Sequence, residues 1–98
     1  MKRSVVIRPV ALEEITEAAD WYERRRLGLG AEFLRVLDAA VASVRRVPEE
    51  YPKIHGEMRH AVLRRFPYSI IFKASDEEII ILACNHWKRD PRAWQERR

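Results

Sequence analysis

Apolar residues recur along this chain with two different periods. Ala11, Ile15, Ala18 and Tyr22 are spaced by four, three and four positions, which puts them on one helical face and predicts a helix over 11–26. Glu13 and Glu14 fall in its first turn and Arg24, Arg25 and Arg26 at its end, the charge order that a helix dipole favours. Gly28 and Gly30 break the pattern. A second helix is predicted over 31–46, where Phe33, Leu37, Ala40 and Val44 repeat at the same spacing and Leu34 and Val41 widen the stripe. Arg45 and Arg46 occupy its last turn, and Pro48 stops it. Two amphipathic helices joined by a short glycine-containing turn make an antiparallel hairpin, one face of which needs a sheet.

Outside the hairpin the period changes. Residues 4–8 are rich in β-branched side chains and read as a short strand ended by Pro9. Residues 48–56 are polar, hold two prolines and read as a loop. From Met58 the sequence alternates, with Arg59, Ala61, Leu63 and Arg65 on one side and Met58, His60, Val62 and Arg64 on the other. Phe66-Pro67 bends the chain. A strand follows over 68–73, a turn at Ser75-Asp76-Glu77, and another strand over 78–84. The run from Ile79 to Cys84 does not alternate, which places this strand centrally with both faces covered. In the tail, Pro91 can open one short helical turn.

The expectation is one α+β domain over 1–98, in the order β-α-α-β-β-β. About four strands form a small, mostly antiparallel sheet against an N-terminal two-helix hairpin. The place of the first strand in the sheet is not readable.

Composition narrows the function classes. The chain has 98 residues, of which 47% are hydrophobic and 35% charged, so it can form a core under a highly charged surface. A net charge of +4 suits an acidic partner, either nucleic acid or an acidic protein segment. One cysteine, Cys84, excludes an internal disulfide framework and a multi-cysteine zinc site, and no metal or cofactor is expected. The apolar run near the N-terminus is too short for a signal peptide, and the run from Ile79 is too short to span a bilayer. A cytoplasmic protein without membrane attachment is the expectation.

Segment 59–72, with Arg64-Arg65-Phe66-Pro67-Tyr68 at its centre, resembles the strand pair of the RelE/ParE toxin superfamily. His86, Arg89, Pro91 and Trp94 match the "H-x-x-R-x-P-x-x-W" ending of ParE-like members. Ala18-Ala19-Asp20-Trp21-Tyr22 and Gly30-Ala31-Glu32-Phe33 are similar to that family's hairpin helices. The resemblance runs through nearly the whole chain in order. It implies the toxin of a type II toxin–antitoxin pair, of the kind found in plasmid-stabilisation modules, bound and silenced by a cognate antitoxin as a hetero-oligomer. It further implies one of two targets: DNA gyrase for ParE-type members, or mRNA on the ribosome for RelE-type members. A homologue that has lost toxicity and only binds the antitoxin is a third reading.

Each target asks for different residues. A metal-free ribonuclease needs a base, an acid and cations on the phosphate. His86 is the candidate acid or base, because histidine titrates near neutral pH. Arg59, Arg65, Lys73 and Arg89 are the candidate phosphate ligands. The competing reading makes His86 a cap at a strand end. The nuclease branch of the resembled family also carries a tyrosine near its end. Here the pair is His86-Trp87, and tryptophan stacks on a base but has no useful proton to give. Gyrase inhibition needs only a recognition surface. The tail supplies Lys88, Arg89, Arg92, Arg97 and Arg98 with Trp87 and Trp94 interleaved, and arginine and aromatic residues are common interface anchors. Against this stands a tail whose tryptophans pack on the sheet: that reading is favoured for Trp87 and left open for Trp94. The clusters Arg24-Arg25-Arg26 and Arg45-Arg46 are assigned to helix ends, and Cys84 to the core.

Overall fold

Pro9 opens a helix as well as ending a strand. In the computed structural model, which describes residues 3–98, β1 is Ser4–Ile7 and α1 is Pro9–Arg25. Proline is tolerated at the first helical position because its missing N–H would have had no partner there. Since α1 starts at Pro9, its first turn holds no acid, and Glu13 and Glu14 lie further in than expected. Arg24 and Arg25 do sit in the last turn.

The second helix, α2, is Leu29–Arg46. Gly28 precedes it at φ 90°, a left-handed conformation that suits glycine. Gly30 marks a close crossing of the two helices, because a Cβ there would stand 2.6 Å from the Ala19 carbonyl oxygen. The Glu23 carboxylate accepts the Gly28 and Gly30 N–H groups at 2.9 and 3.0 Å, so α1 itself caps the start of α2.

The remaining elements are a 3-10 turn at Pro48–Glu50, β2 at Lys53–His55, β3 at Met58–Val62, β4 at Tyr68–Ala74, β5 at Glu78–His86, and a short α3 at Arg92–Gln95. The sheet has five strands in the order β1-β5-β4-β3-β2, rather than about four. The additional strand is β2, which lies in the segment read as a loop. It has three residues, all exposed, so it carries no apolar alternation to read. The pairs β2–β3, β3–β4 and β4–β5 are antiparallel, while β1 runs parallel to β5 at the edge.

The α1–α2 hairpin covers one face of the sheet. Phe33, Val44, Ile70, Phe72, Ile79 and Ile81 are fully buried between the two layers. Tyr22, Phe33, Phe66 and Tyr68 pack edge-on or stacked with centroids 4.8–6.2 Å apart. The other face carries a smaller cluster of Met58, Ile71, Leu82, Ala83 and Trp94.

Strand β5 is covered on both faces, as its unbroken apolar run requires. Part of that run reflects a bulge. Ile71 pairs with Ala83 but Phe72 pairs with Ile81, so Leu82 is an extra residue. Leu82 and Ala83 both join the second cluster, and Cys84 returns to the hairpin side.

Candidate functional site

Cross-strand register brings together residues far apart in the chain. Tyr68 opens β4 and pairs with His86 at the end of β5. Their rings meet edge to face with centroids 5.0 Å apart. Beside them α1 contributes Trp21 and Tyr22, and the start of the tail contributes Lys88 and Arg89. Together they line an open groove of about 750 Å³. Burial, followed by the neighbouring Tyr22, raises the Tyr68 phenol above its ordinary pKa, so Tyr68 is a neutral hydroxyl at neutral pH.

The imidazole of His86 is held in one tautomer. Its Nδ1 accepts the Lys88 backbone N–H at 3.1 Å. A neutral imidazole bonded in this way carries its proton on Nε2. The nitrogen left for a ligand is therefore a donor, suited to binding an oxyanion and poorly suited to removing a proton.

The four candidate catalytic residues do not converge. His86 and Arg89 share the groove beside α1. Arg59 lies at the Phe72 level of the sheet, two strands across and four residues along from His86. Four residues of strand span about 13 Å. The Arg59 guanidinium donates to the Tyr51 carbonyl at 2.6 Å and anchors the loop after α2. Arg65 sits in the β3–β4 loop at φ 68°, 3.6 Å from Glu32, on the rim of a different groove. Lys73 lines a third cleft with His55 and the C-terminal residues. The expected phosphate groove is thus divided among separate places, because it was drawn from residues on different strands whose register was unknown.

The tail is mostly tied down. Trp94, expected among the target-facing residues, is 5% exposed and packs on the second face of the sheet. Trp87, expected to pack, is 64% exposed. Strand β5 ends at His86, so Trp87 lies just past the sheet, whereas the α3 turn carries Trp94 back over the Leu82–Ala83 bulge. Arg97 also turns inward and donates to the Glu14 carboxylate at 2.8 and 3.1 Å and to the Leu82 carbonyl at 3.1 Å. Arg92 is bidentate with Asp90, which lowers the Asp90 pKa and raises that of Arg92. The Arg98 carbonyl accepts from Arg8 Nε at 3.0 Å. Of the expected target-binding residues, Lys88 keeps its ammonium without an ion-pair partner among the described residues. Arg89 stands 3.6 Å from Glu14 and stays half exposed.

A second groove, of about 590 Å³, runs between α2 and β3. Val36, Ala39, Ala40 and Ala61 line it, with Arg35 and Arg64 also bordering it. It shares no residue with the groove beside α1. No group of side chains among the described residues is arranged to hold a metal ion, and no helix there is long and apolar enough to cross a membrane.

Sequence reasoning missed Tyr68 and Tyr22 as groove residues. Tyr68 stood in the motif that carried the family resemblance. Its contact with His86 depends on strand register, which no local pattern encodes.

No protein-family model matches the chain. Over 57 residues, 58% of this chain, it is 32% identical to "Toxin ParE2" of Mycobacterium tuberculosis, in strains CDC 1551 / Oshkosh and ATCC 25618 / H37Rv. That match spans about half, 54%, of the length of each of these curated relatives. Among solved structures, it is similar to a chain of "Chromosomal ParDE TA system from P. aeruginosa", with a TM-score of 0.73 and 20% identity, covering 87% of this chain and 96% of that one. The resemblance to ParE-like toxins read from the sequence is borne out over those 57 residues, and the chain has the α+β fold found in that ParDE system.

Proposed function

We propose that this chain is the ParE-like toxin of a type II toxin–antitoxin module, that it inhibits DNA gyrase, and that its cognate antitoxin silences it by direct binding. The observation that carries this reading is the coincidence of two independent likenesses. One is in sequence to "Toxin ParE2", and the other, covering 87% of the chain, is in fold to a ParDE system. The groove between α2 and β3 supports the antitoxin part. Its apolar floor suits the apolar side of an amphipathic segment, and Arg35, Arg64 and Arg65 suit acidic residues along the segment's edge. The net charge of +4 favours fast capture of an acidic partner.

The endoribonuclease alternative draws less support. Of its four candidate residues only His86 and Arg89 share a groove, with Arg65 on another and Arg59 bonded to the Tyr51 carbonyl, and the free nitrogen of His86 is a donor. The test is to add the purified chain to a gyrase supercoiling assay, and to follow DNA and protein synthesis separately in the first minutes after its induction in bacteria. Inhibited supercoiling with an early stop in DNA synthesis is expected. Intact supercoiling, with protein synthesis stopping first and messages cut, overturns the gyrase reading.

A further inference from the structure

Resting on the gyrase reading, we infer that the groove between α1 and the ends of β4 and β5 is the surface that grips the target protein, and that it does so by taking an acidic side chain of the target among Tyr22, Tyr68, His86 and Lys88. The tail was the expected gripping surface. Its structure argues otherwise, because Trp94 is buried, Arg97 is bonded to Glu14 and Leu82, and Arg92 is closed on Asp90.

The groove beside α1, which takes in Lys88 and Arg89 from the start of the tail, has what the rest of the tail lacks. Neither the Tyr22 nor the Tyr68 hydroxyl is engaged by another group among the described residues, unlike that of Tyr51, which bonds Ser43 Oγ at 2.6 Å. The Nε2–H of His86 is unpartnered in the same sense, since the ring's one bond is through Nδ1. Three neutral donors and the Lys88 ammonium line one groove, and a carboxylate can accept from several of them at once. Beside them stands Trp21, 45% exposed, its ring held by the Arg25 guanidinium 4.3 Å from the centroid. A fixed, half-exposed tryptophan next to charged donors is the composition of an interface anchor.

The occupant is a protein and not a nucleic-acid strand. A phosphate backbone needs a continuous row of cations. Here Arg24, Lys88 and Arg89 share the groove lining with Glu17, and Arg89 is already within 3.6 Å of Glu14. One acidic side chain fits this local balance, while a polyanion running along the groove meets Glu17 in its path. The groove is also separate from the one assigned above to the antitoxin, so the chain can present two different surfaces.

The experiment uses the full chain and gyrase holoenzyme in a supercoiling assay. Lys88→Glu and Trp21→Ala are compared with Arg46→Glu, a charge-matched change at the exposed end of α2, far from the groove. Each variant's fold is checked by its thermal transition. The expectation is that Lys88→Glu and Trp21→Ala each raise the half-inhibitory concentration by about tenfold or more, while Arg46→Glu stays within about twofold. Unchanged inhibition by folded Lys88→Glu overturns the inference while the gyrase reading stands. An equal loss in all three variants overturns it too, as a non-specific charge and stability effect. A wild-type chain that does not inhibit gyrase overturns both. Binding of a labelled single-stranded oligonucleotide at low micromolar concentration, read by fluorescence anisotropy and lost in both Lys88→Glu and Trp21→Ala, overturns the choice of a protein occupant.

Discussion

Glu14 and Arg97, 83 positions apart in sequence, form a two-point ion pair at 2.8 and 3.1 Å. The pair joins α1 to the end of the tail across the edge of β5. Glu14 is 11% exposed and Arg97 20%. The same carboxylate accepts the Cys84 backbone N–H at 3.0 Å and stands 3.6 Å from Arg89. One acid on the inner face of α1 thus satisfies a strand N–H and holds down the tail that covers the sheet's second face.

That geometry makes Glu14 a stability residue. Glu14→Ala leaves the Arg97 guanidinium partly buried without its partner and the Cys84 N–H without its acceptor. The expected loss is about 2–4 kcal/mol, read as a lower urea midpoint. Arg97→Ala strips only one side and is expected to lose about 1–2 kcal/mol, because the Cys84 bond survives. A midpoint unchanged in Glu14→Ala would show that the tail is not held in this way.

The two tail-region tryptophans are expected to behave in opposite ways. Trp94→Ala empties a site closed by Met58, Ile71, Leu82 and Ala83 and should cost about 3–5 kcal/mol. Trp87→Ala, at an exposed position, should stay within about 0.5 kcal/mol. The Trp94 indole N–H is buried without a hydrogen-bond partner, so Trp94→Phe should cost far less than Trp94→Ala. Chemical denaturation of the three variants measures all three differences, and equal losses at Trp87 and Trp94 would contradict the placement of both.

Burial, with the nearby Glu14 second, pushes the Cys84 thiol up to about 12 from an ordinary 9.0. The folded thiol therefore holds its proton through a range where the unfolded thiol loses it. Folded chains then bind more protons than unfolded ones, so stability falls as pH rises from about 9 towards about 12. At neutral pH a thiol reagent should label Cys84 only at the rate of unfolding. Fast stoichiometric labelling of the native chain at pH 7–8 would refute the buried neutral thiol.

Much of the fold was legible in local pattern. The 3.6-residue stripes through Ile15, Ala18, Phe33 and Leu37 located both helices, because a helix's buried face is set by near neighbours in sequence. The apolar run of β5 announced a strand covered on both sides. The β2 strand escaped, since its three exposed residues pair through backbone alone. The candidate site was legible only in part. His86, Lys88 and Arg89 were in view as single residues, and Tyr22 and Tyr68 were not.

What the sequence by itself determined is the kind of chain this is: a basic α+β domain with a helical hairpin, a β-rich second half and a ParE-like ending. Short-range spacing carries that information. Only the tertiary structure decided which residues meet. Strand register put Tyr68 against His86 and left Arg59 four residues along and two strands away. A bulge at Leu82 changed which side chains face the second cluster. The turn at α3 buried Trp94 and left Trp87 in solvent. Each of these turns on long-range pairing of backbone and packing of side chains. A shift of one residue in register reverses which face a side chain takes, and no local pattern records that choice.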